Sequence, residues 1–298
     1  MAHYSIKDLE RISSTKAHTI RIWEQRYHLL QPERTDTNIR VYGDDELKKL
    51  LNICTLLDRG MKISRISKMS KAEISQEIDQ IIAESFQADV HTMAIINRAL
   101  IAISTYDSHL FDSLFSDAVK RLGLRKTYER IIYPLLVRTG LMWTKDDLLP
   151  SQEHFLSNLI RQKLFAAIDT LPLPAEADQT WVLFLNEQED HEIGLLFANY
   201  LIRQYGKNVV YLGARVPYSD LSAVITKVKP THLYSFFVSA LENEQETLLT
   251  RLSSDFENIC ICVSGANQTS IEKTSLPNIT YVKNIDQLTD ILNDSYAE

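Results

Sequence analysis

The stretch Trp181–Ile202 reads "WVLFLNEQEDHEIGLLFANYLI". Its opening, "WVLFLN", is a short apolar run of the length a buried strand uses, and its close, "LLFANYLI", has the apolar density of a buried helix. Between them stand Glu187, Glu189, Asp190, His191 and Glu192. Desolvating so many titratable side chains is expensive, so this loop is either solvated or faces something that needs it. A strand, a short polar loop and a helix make one βα unit, and the fold depends on whether that unit recurs.

It recurs downstream. The runs "WVLFLN", "VVYLG", "HLYSFFV", "ICICVSG" and "ITYV" are separated by helical stretches, which predicts a five-stranded parallel sheet over residues 178–298. Such a Rossmann-like (flavodoxin-like) domain binds its ligand at the carboxyl ends of the strands, where the strand order reverses. "EDHEIG" lies at the carboxyl end of the first strand. Glu189, two residues before His191, is close enough to accept a ring N–H and leave the other ring nitrogen free for a metal. Gly194 permits close backbone approach.

Upstream, residues 85–172 are nearly free of Gly and Pro. "HTMAIINRALIAIST", "HLFDSLFSDAVKRLG", "RKTYERIIYPLLVRTGLMW" and "SQEHFLSNLIRQKLFAAIDTL" repeat apolar residues at spacings of three and four, predicting a four-helix bundle whose third helix bends at Pro134. "TLPLPAEADQ" then reads as a linker. The fold class expected is therefore multidomain α plus α/β.

Residues 1–75 form a third segment. Two helical patterns, Ile6 to Ile12 and Lys16 to Arg26, flank "SST", whose hydroxyls suit a turn and an N-cap. Ile20, Trp23 and Tyr27 give the second helix a buried face, leaving Lys16, His18, Thr19 and Arg21 to point elsewhere. "ERTDTNIRVY" has a turn-rich centre between Arg34 and Arg40, as a two-stranded wing requires. A further helix, Asp44 to Arg59, carries Leu47, Leu50, Leu51, Cys54 and Leu57 on one side, with Gly60 as its C-cap.

Charge divides the chain in the same way. Residues 1–70 hold 13 Lys/Arg against 9 Asp/Glu, a net of +4, against −7 for the whole chain. The amino-terminal segment is thus the credible binder of a polyanion. No long apolar run or secretory signal is present, so a cytoplasmic protein without membrane spans is expected. The three cysteines are Cys54, Cys260 and Cys262. The close pair reads as buried strand thiols, because no CxxC and no histidine nearby in the sequence completes a metal or redox site.

Residues 4–67 resemble the MerR family of transcriptional regulators through "YSIKDLE", "TIRIWEQRYHLLQPERTDTNIRVY" and "GMKISRI". That resemblance implies a winged helix-turn-helix on a double-stranded DNA operator. It assigns Lys16, His18 and Arg21 to the recognition helix and puts Arg26, Tyr27, Arg34, Arg40 and Tyr42 near the phosphate backbone. Phosphate contacts would supply salt-dependent affinity and base contacts the sequence choice.

The ExHxxG string Glu189–Gly194 resembles the DxHxxG motif of cobalamin-binding domains, which implies His191 as the lower axial ligand of cobalt. Glu in place of Asp, with "YLGARVPYSDL" after it, is similar to the cobalamin-dependent photoreceptor repressors of the MerR family. Those proteins also carry a Trp, nine residues and Glu-His, found here as Trp143, "TKDDLLPSQ" and Glu153-His154. Read alone, these would be a core residue and a solvated helix start. The resemblance instead implies that they cap the upper face of adenosylcobalamin, or another cobalamin, between the bundle and the Rossmann-like domain, and that light removes the upper group.

Cobalamin-binding domains of this kind keep an SxL segment after the third strand and a Gly-Gly pair after the fourth, where the nucleotide tail is buried. Ser239-Ala240-Leu241 and Ser264-Gly265 stand there in this chain, Ser264 adding a hydroxymethyl group where close packing is expected. Thr144 occupies the place where some members have a His that captures cobalt after photolysis. Two triggers follow: a cobalamin-sensing, light-responsive repressor acting as a dimer or tetramer, or a MerR-type repressor answering to another ligand or a protein partner. An enzymatic role is not expected, since no barrel-sized substrate domain is present.

Overall fold

The computed structural model describes residues 4–13, 15–34, 38, 40–58, 60–85, 92–143, 149–174, 176–238, 242–265 and 276–293. The chain divides into two compact units, Met1–Ser157 and Asn158–Glu298.

The first unit opens with α1 (Ile6–Ser13) and α2 (Ala17–Tyr27). A reciprocal capping box starts α1: Ser5 N donates to Asp8 Oδ2 at 2.6 Å and Asp8 N to Ser5 Oγ at 3.3 Å. The turn into α2 differs from the expectation of a hydroxyl cap. Lys16 occupies the N-cap without a side-chain bond, and the Ser13 hydroxyl instead donates back to Leu9 O. The carboxylate of Glu10 takes over, accepting from Ala17 N at 3.0 Å. Ile20 and Trp23 are buried and Tyr27 half-buried.

The wing is an antiparallel pair, β1 (Glu33–Arg34) and β2 (Arg40–Val41), extended by a bridge between Tyr4 and Tyr42. Helix α3 (Asp44–Asp58) buries Leu47, Leu50, Leu51 and Cys54, and Gly60 closes it at φ +81°. The short α4 (Ile63–Ile66) leads to α5 (Lys71–Ser85).

The bundle helices are α6 (Thr92–Ser104), α7 (Ser108–Thr127), α8 (Tyr133–Trp143) and α9 (Pro150–Asp169). Where one bent helix was expected, a π-helical segment, Tyr128–Ile132, precedes α8. Pro134 has no N–H to donate, and its ring would press on the carbonyl one turn back; a widened turn relieves both. Arg138 on α8 donates to Ile12 O at 2.6 Å and to Asn97 Oδ1 at 3.0 Å, while Asn97 Nδ2 donates to Thr55 Oγ1 at 3.1 Å. This polar strap ties the last turn of α1 and the side of α3 to α6 and α8 within the first unit, whose boundary falls inside α9.

The second unit runs β3 (Thr180–Asn186), α10 (Ile193–Gln204), β4 (Asn208–Val216), α11 (Tyr218–Val228), β5 (His232–Phe237), α12 (Glu242–Asp255), β6 (Cys260–Gly265), β7 (Ile279–Tyr281) and α13 (Ile285–Asn293). All five strands are parallel, in the order β4-β3-β5-β6-β7. The first strand thus has the second on one side and the third on the other, which opens the crevice expected at its carboxyl end. One sheet face packs Val182, Phe184, Leu233, Phe237, Ile261 and Val263 against Leu221 and Ile225 of α11 and Leu249 and Leu252 of α12.

Candidate functional site

The loop after β3 lies at this crevice, and each acidic side chain in it has a partner. Glu187 Oε1 accepts from Tyr218 N at 3.1 Å, capping α11. Glu189 is fully buried; its Oε1 accepts from Asp190 N (3.1 Å), His191 N (3.1 Å) and His191 Nδ1 (2.6 Å), and its Oε2 from Val238 N (2.9 Å). Four donors on one carboxylate offset the cost of removing its charge from water. With Nδ1 engaged by the carboxylate, Nε2 is the ring nitrogen left to face a ligand, and the His191 side chain is 60% exposed. A buried anion thus orients an exposed imidazole, the pairing that supports a histidine metal ligand.

Asp190, which stays exposed, and Glu192, which is partly buried, both have partners from elsewhere in the fold. Asp190 accepts from Nε and Nη2 of the Arg215 guanidinium, whose hydrogen bonds and, secondarily, charge lower its pKa. Arg215 itself lies at φ +56° in the irregular end of β4, where the β3–β4 register shifts; its amide donates to Glu189 O. Glu192 accepts from Arg161 Nη1 of α9 at 3.0 Å and from Tyr211 Oη of β4 at 3.2 Å. Burial, with the Glu192 charge beside it, pushes the Tyr211 hydroxyl well above its ordinary pKa, so it stays protonated as a donor.

Gly194 opens α10 where an added Cβ would come within 2.9 Å of the Phe236 ring. Gly265, at φ +111°, leaves no room at all: a Cβ there would lie 1.8 Å from Phe237 O. Ser264 does not crowd its surroundings. Its hydroxyl accepts from Tyr234 Oη (2.7 Å) and donates to Val282 O (2.9 Å), joining three neighbouring chain segments. Ser239 and Leu241 lie outside the described residues. In the first unit, Trp143 ends α8, its side chain and Thr144 also lying outside the described residues; Glu153 and His154 sit in the first turn of α9, where His154 Nδ1 is 2.9 Å from Glu153 Oε2.

On α2, Lys16 is 81% exposed and His18, Arg21 and Arg26 are also exposed, with Thr19 partly so. Arg26 stands 5.5 Å from the centroid of the Tyr27 ring. Arg34, on the wing, donates to Asn38 Oδ1 at 2.6 Å. Two of the DNA candidates behave differently from the rest. Tyr42 is fully buried and donates to Glu24 Oε2 at 3.2 Å, and Arg40 binds both oxygens of Glu24 at 3.0 and 3.1 Å. Together they fasten the wing to α2, which takes the Tyr42 ring out of direct reach of a ligand. Glu24 was not anticipated in this role. Nor was Ile22, 43% exposed on α2, an apolar surface of the kind a thymine methyl group contacts.

Among the described residues no cluster of three or more His, Cys, Asp or Glu side chains could hold a metal ion, and no helix is long and apolar enough to cross a membrane.

Residues 4–73 match the MerR HTH family regulatory protein model and residues 95–167 the B12 binding domain model. The chain is 29% identical over 256 residues to the HTH-type transcriptional repressor CarH of Myxococcus xanthus, covering 84% of each chain. It is 25% identical over 241 residues to the repressor CarA of the same organism, covering 80% of this chain and 78% of that one. The fold is also that of the monomethylamine corrinoid protein of Methanosarcina barkeri, with a TM-score of 0.53 at 14% identity over 74% of this chain and 99% of that one.

Proposed function

Since this chain is a MerR-type transcriptional regulator joined to a B12-binding domain, we propose that it represses transcription under the control of adenosylcobalamin held through His191. The observation that carries this reading is the Glu189–His191 pair, a buried carboxylate fixing the tautomer of an exposed imidazole at the carboxyl end of β3. Asp190 and Arg215 pin the loop on one side, and Arg161 with Tyr211 on the other through Glu192. Gly194 and Gly265 keep the backbone close to its neighbours where a side chain would intrude. Trp143, Glu153 and His154 are assigned to the upper face on their sequence pattern, and Ser239, Leu241 and Ser264 to the nucleotide tail.

When bound, adenosylcobalamin supplies a light-sensitive cobalt–carbon bond and a large apolar surface. The protein's task is to bind DNA more tightly in one cofactor state than in the other, since only differential affinity moves an equilibrium. Lys16, His18, Thr19, Arg21, Arg26 and Arg34 form the exposed basic surface for a double-stranded operator. A dimer or tetramer supplies several such surfaces, in the cytoplasm and without catalytic turnover. Protein mixed with adenosylcobalamin in the dark and passed through gel filtration is expected to carry a cobalamin spectrum, and His191→Ala to lose it. Elution without cobalamin, or DNA affinity indifferent to cobalamin and illumination, would sink the proposal in favour of a repressor with another trigger.

A further inference from the structure

At the opposite end of the sheet from His191, the parallel register sets Trp181 beside His232 and His232 beside Cys260. Neighbouring residues in register share a face, so indole, imidazole and thiol lie in a row. The imidazole stacks on the indole with ring centroids 4.2 Å apart and planes 10° from parallel. Its Nδ1 is 2.9 Å from Thr231 Oγ1. That hydroxyl already donates its single proton to Thr180 O, at 3.1 Å, while accepting from Thr180 N. Nδ1 must therefore be the donor, which leaves the lone pair on Nε2.

Cys260 is partly exposed, and the register sets it beside His232 on β5 and on the same strand face as Cys262. These are the groups that act on it most. Hydrogen bonding with Cys262, and then the neighbouring His232 imidazole, outweigh the effect of burial and hold the Cys260 thiol down at about 5, while the same bond to Cys260, with burial and then the Cys260 charge, pushes the Cys262 thiol up. An accessible sulfur beside an oriented base and a second thiol has the features of an oxidant-sensitive cysteine. The sequence left the pair without a histidine; the sheet supplies one from 28 residues upstream.

We propose that Cys260 is a modification site that reacts with small hydroperoxides, with His232 as its base. His232 Nε2 takes the thiol proton, and the sulfur attacks one peroxide oxygen. A sulfur–oxygen bond forms, the oxygen–oxygen bond breaks, and the leaving oxygen takes both electrons and then the proton from the imidazolium. The sulfur is oxidised to sulfenic acid and the hydroperoxide reduced to an alcohol or water. Cys262 acts as hydrogen-bond donor to the thiolate. Residues i and i+2 of a paired strand are about 6.7 Å apart with parallel Cβ vectors, which disfavours a disulfide between them.

The full-length protein, without cobalamin, is treated with a slight excess of hydrogen peroxide and dimedone and read by intact mass and peptide mapping. One dimedone adduct on the Cys260 peptide is expected, and none in Cys260→Ser. Alkylation by iodoacetamide at pH 6 should run at least about tenfold faster than for free N-acetylcysteine, because most of the sulfur is already thiolate. His232→Gln and, independently, Thr231→Val should move the midpoint of the rate–pH profile upward, while Thr231→Ser restores it. An ordinary thiol midpoint in folded wild-type protein, no adduct at Cys260, or profiles unmoved in both folded variants would each overturn the proposal. None of these readouts depends on cobalamin, so failure here leaves the B12 reading untouched.

Discussion

Replacing Glu189 by Gln keeps the shape of a fully buried side chain and removes its charge. The carboxylate now accepts four hydrogen bonds, three at Oε1 and one at Oε2. An amide has one acceptor oxygen and one NH2, so whichever way it is turned, at least one buried N–H faces another donor. An unsatisfied buried donor costs about 1–3 kcal/mol, and the loss of charge weakens the remaining bonds, so a destabilisation of roughly 2–4 kcal/mol is expected. His191→Ala removes only one of the four donors, and from a ring that is 60% exposed; water replaces it, and the cost is about 1 kcal/mol at most.

Cobalamin binding should rank the two variants in the opposite order. His191→Ala removes the proposed cobalt ligand outright. Glu189→Gln keeps the ligand but loses its orienting anion, for which about 10- to 100-fold in affinity is expected. Thermal unfolding without cobalamin, followed by circular dichroism, reads the first ranking, and spectrophotometric titration in the dark reads the second. Near-identical melting of wild type and Glu189→Gln would refute the claim that this carboxylate organises the loop. A His191→Ala protein as unstable as Glu189→Gln would show that the ring packs inward.

Gly265→Ala should prevent folding of the second unit or cost more than about 4 kcal/mol, because both φ +111° and the 1.8 Å approach to Phe237 O must be relieved; soluble yield and denaturant midpoint report it. Arg21→Ala should lower DNA affinity and, if Arg21 meets a phosphate, reduce the salt slope by about 1 without changing thermal stability, since the side chain is exposed. Tyr42→Phe should do the reverse, costing about 0.5–1.5 kcal/mol of stability through its lost bond to Glu24, with the melting curve as the check. For Asp190, a pKa lowered by Arg215 means that the pairing stabilises the loop fully above the ordinary carboxylate value of about 4 and is lost as pH falls through the lower folded value. The Arg215 Nε–H resonance should hold its position from pH 7 to about 4 and move only in stronger acid; movement already near pH 6 would contradict the pairing.

What can be read from the chain is what neighbours along the chain decide. The alternation of short apolar runs with helical stretches forces a parallel sheet, because strands joined through helices must run the same way. The spacing of Glu189 and His191 puts a carboxylate within reach of a ring nitrogen whatever surrounds them. The basic surface of α2 follows from its 3.6-residue period, with Ile20 and Trp23 buried and Lys16, His18 and Arg21 left outside.

Tertiary structure decides the partners that arrive from elsewhere. Arg215, Arg161 and Tyr211 reach the acidic loop from β4 and α9 and supply the partners of Asp190 and Glu192. Glu24 reclaims Arg40 and Tyr42, and His232 comes beside Cys260 only through the register of β5 on β6. The physical reason is range. Periodicity and capping act over one or two turns of chain, whereas the worth of a charge depends on which opposite charge or buried donor lies within a few ångströms, and that distance exists only once the strands have paired.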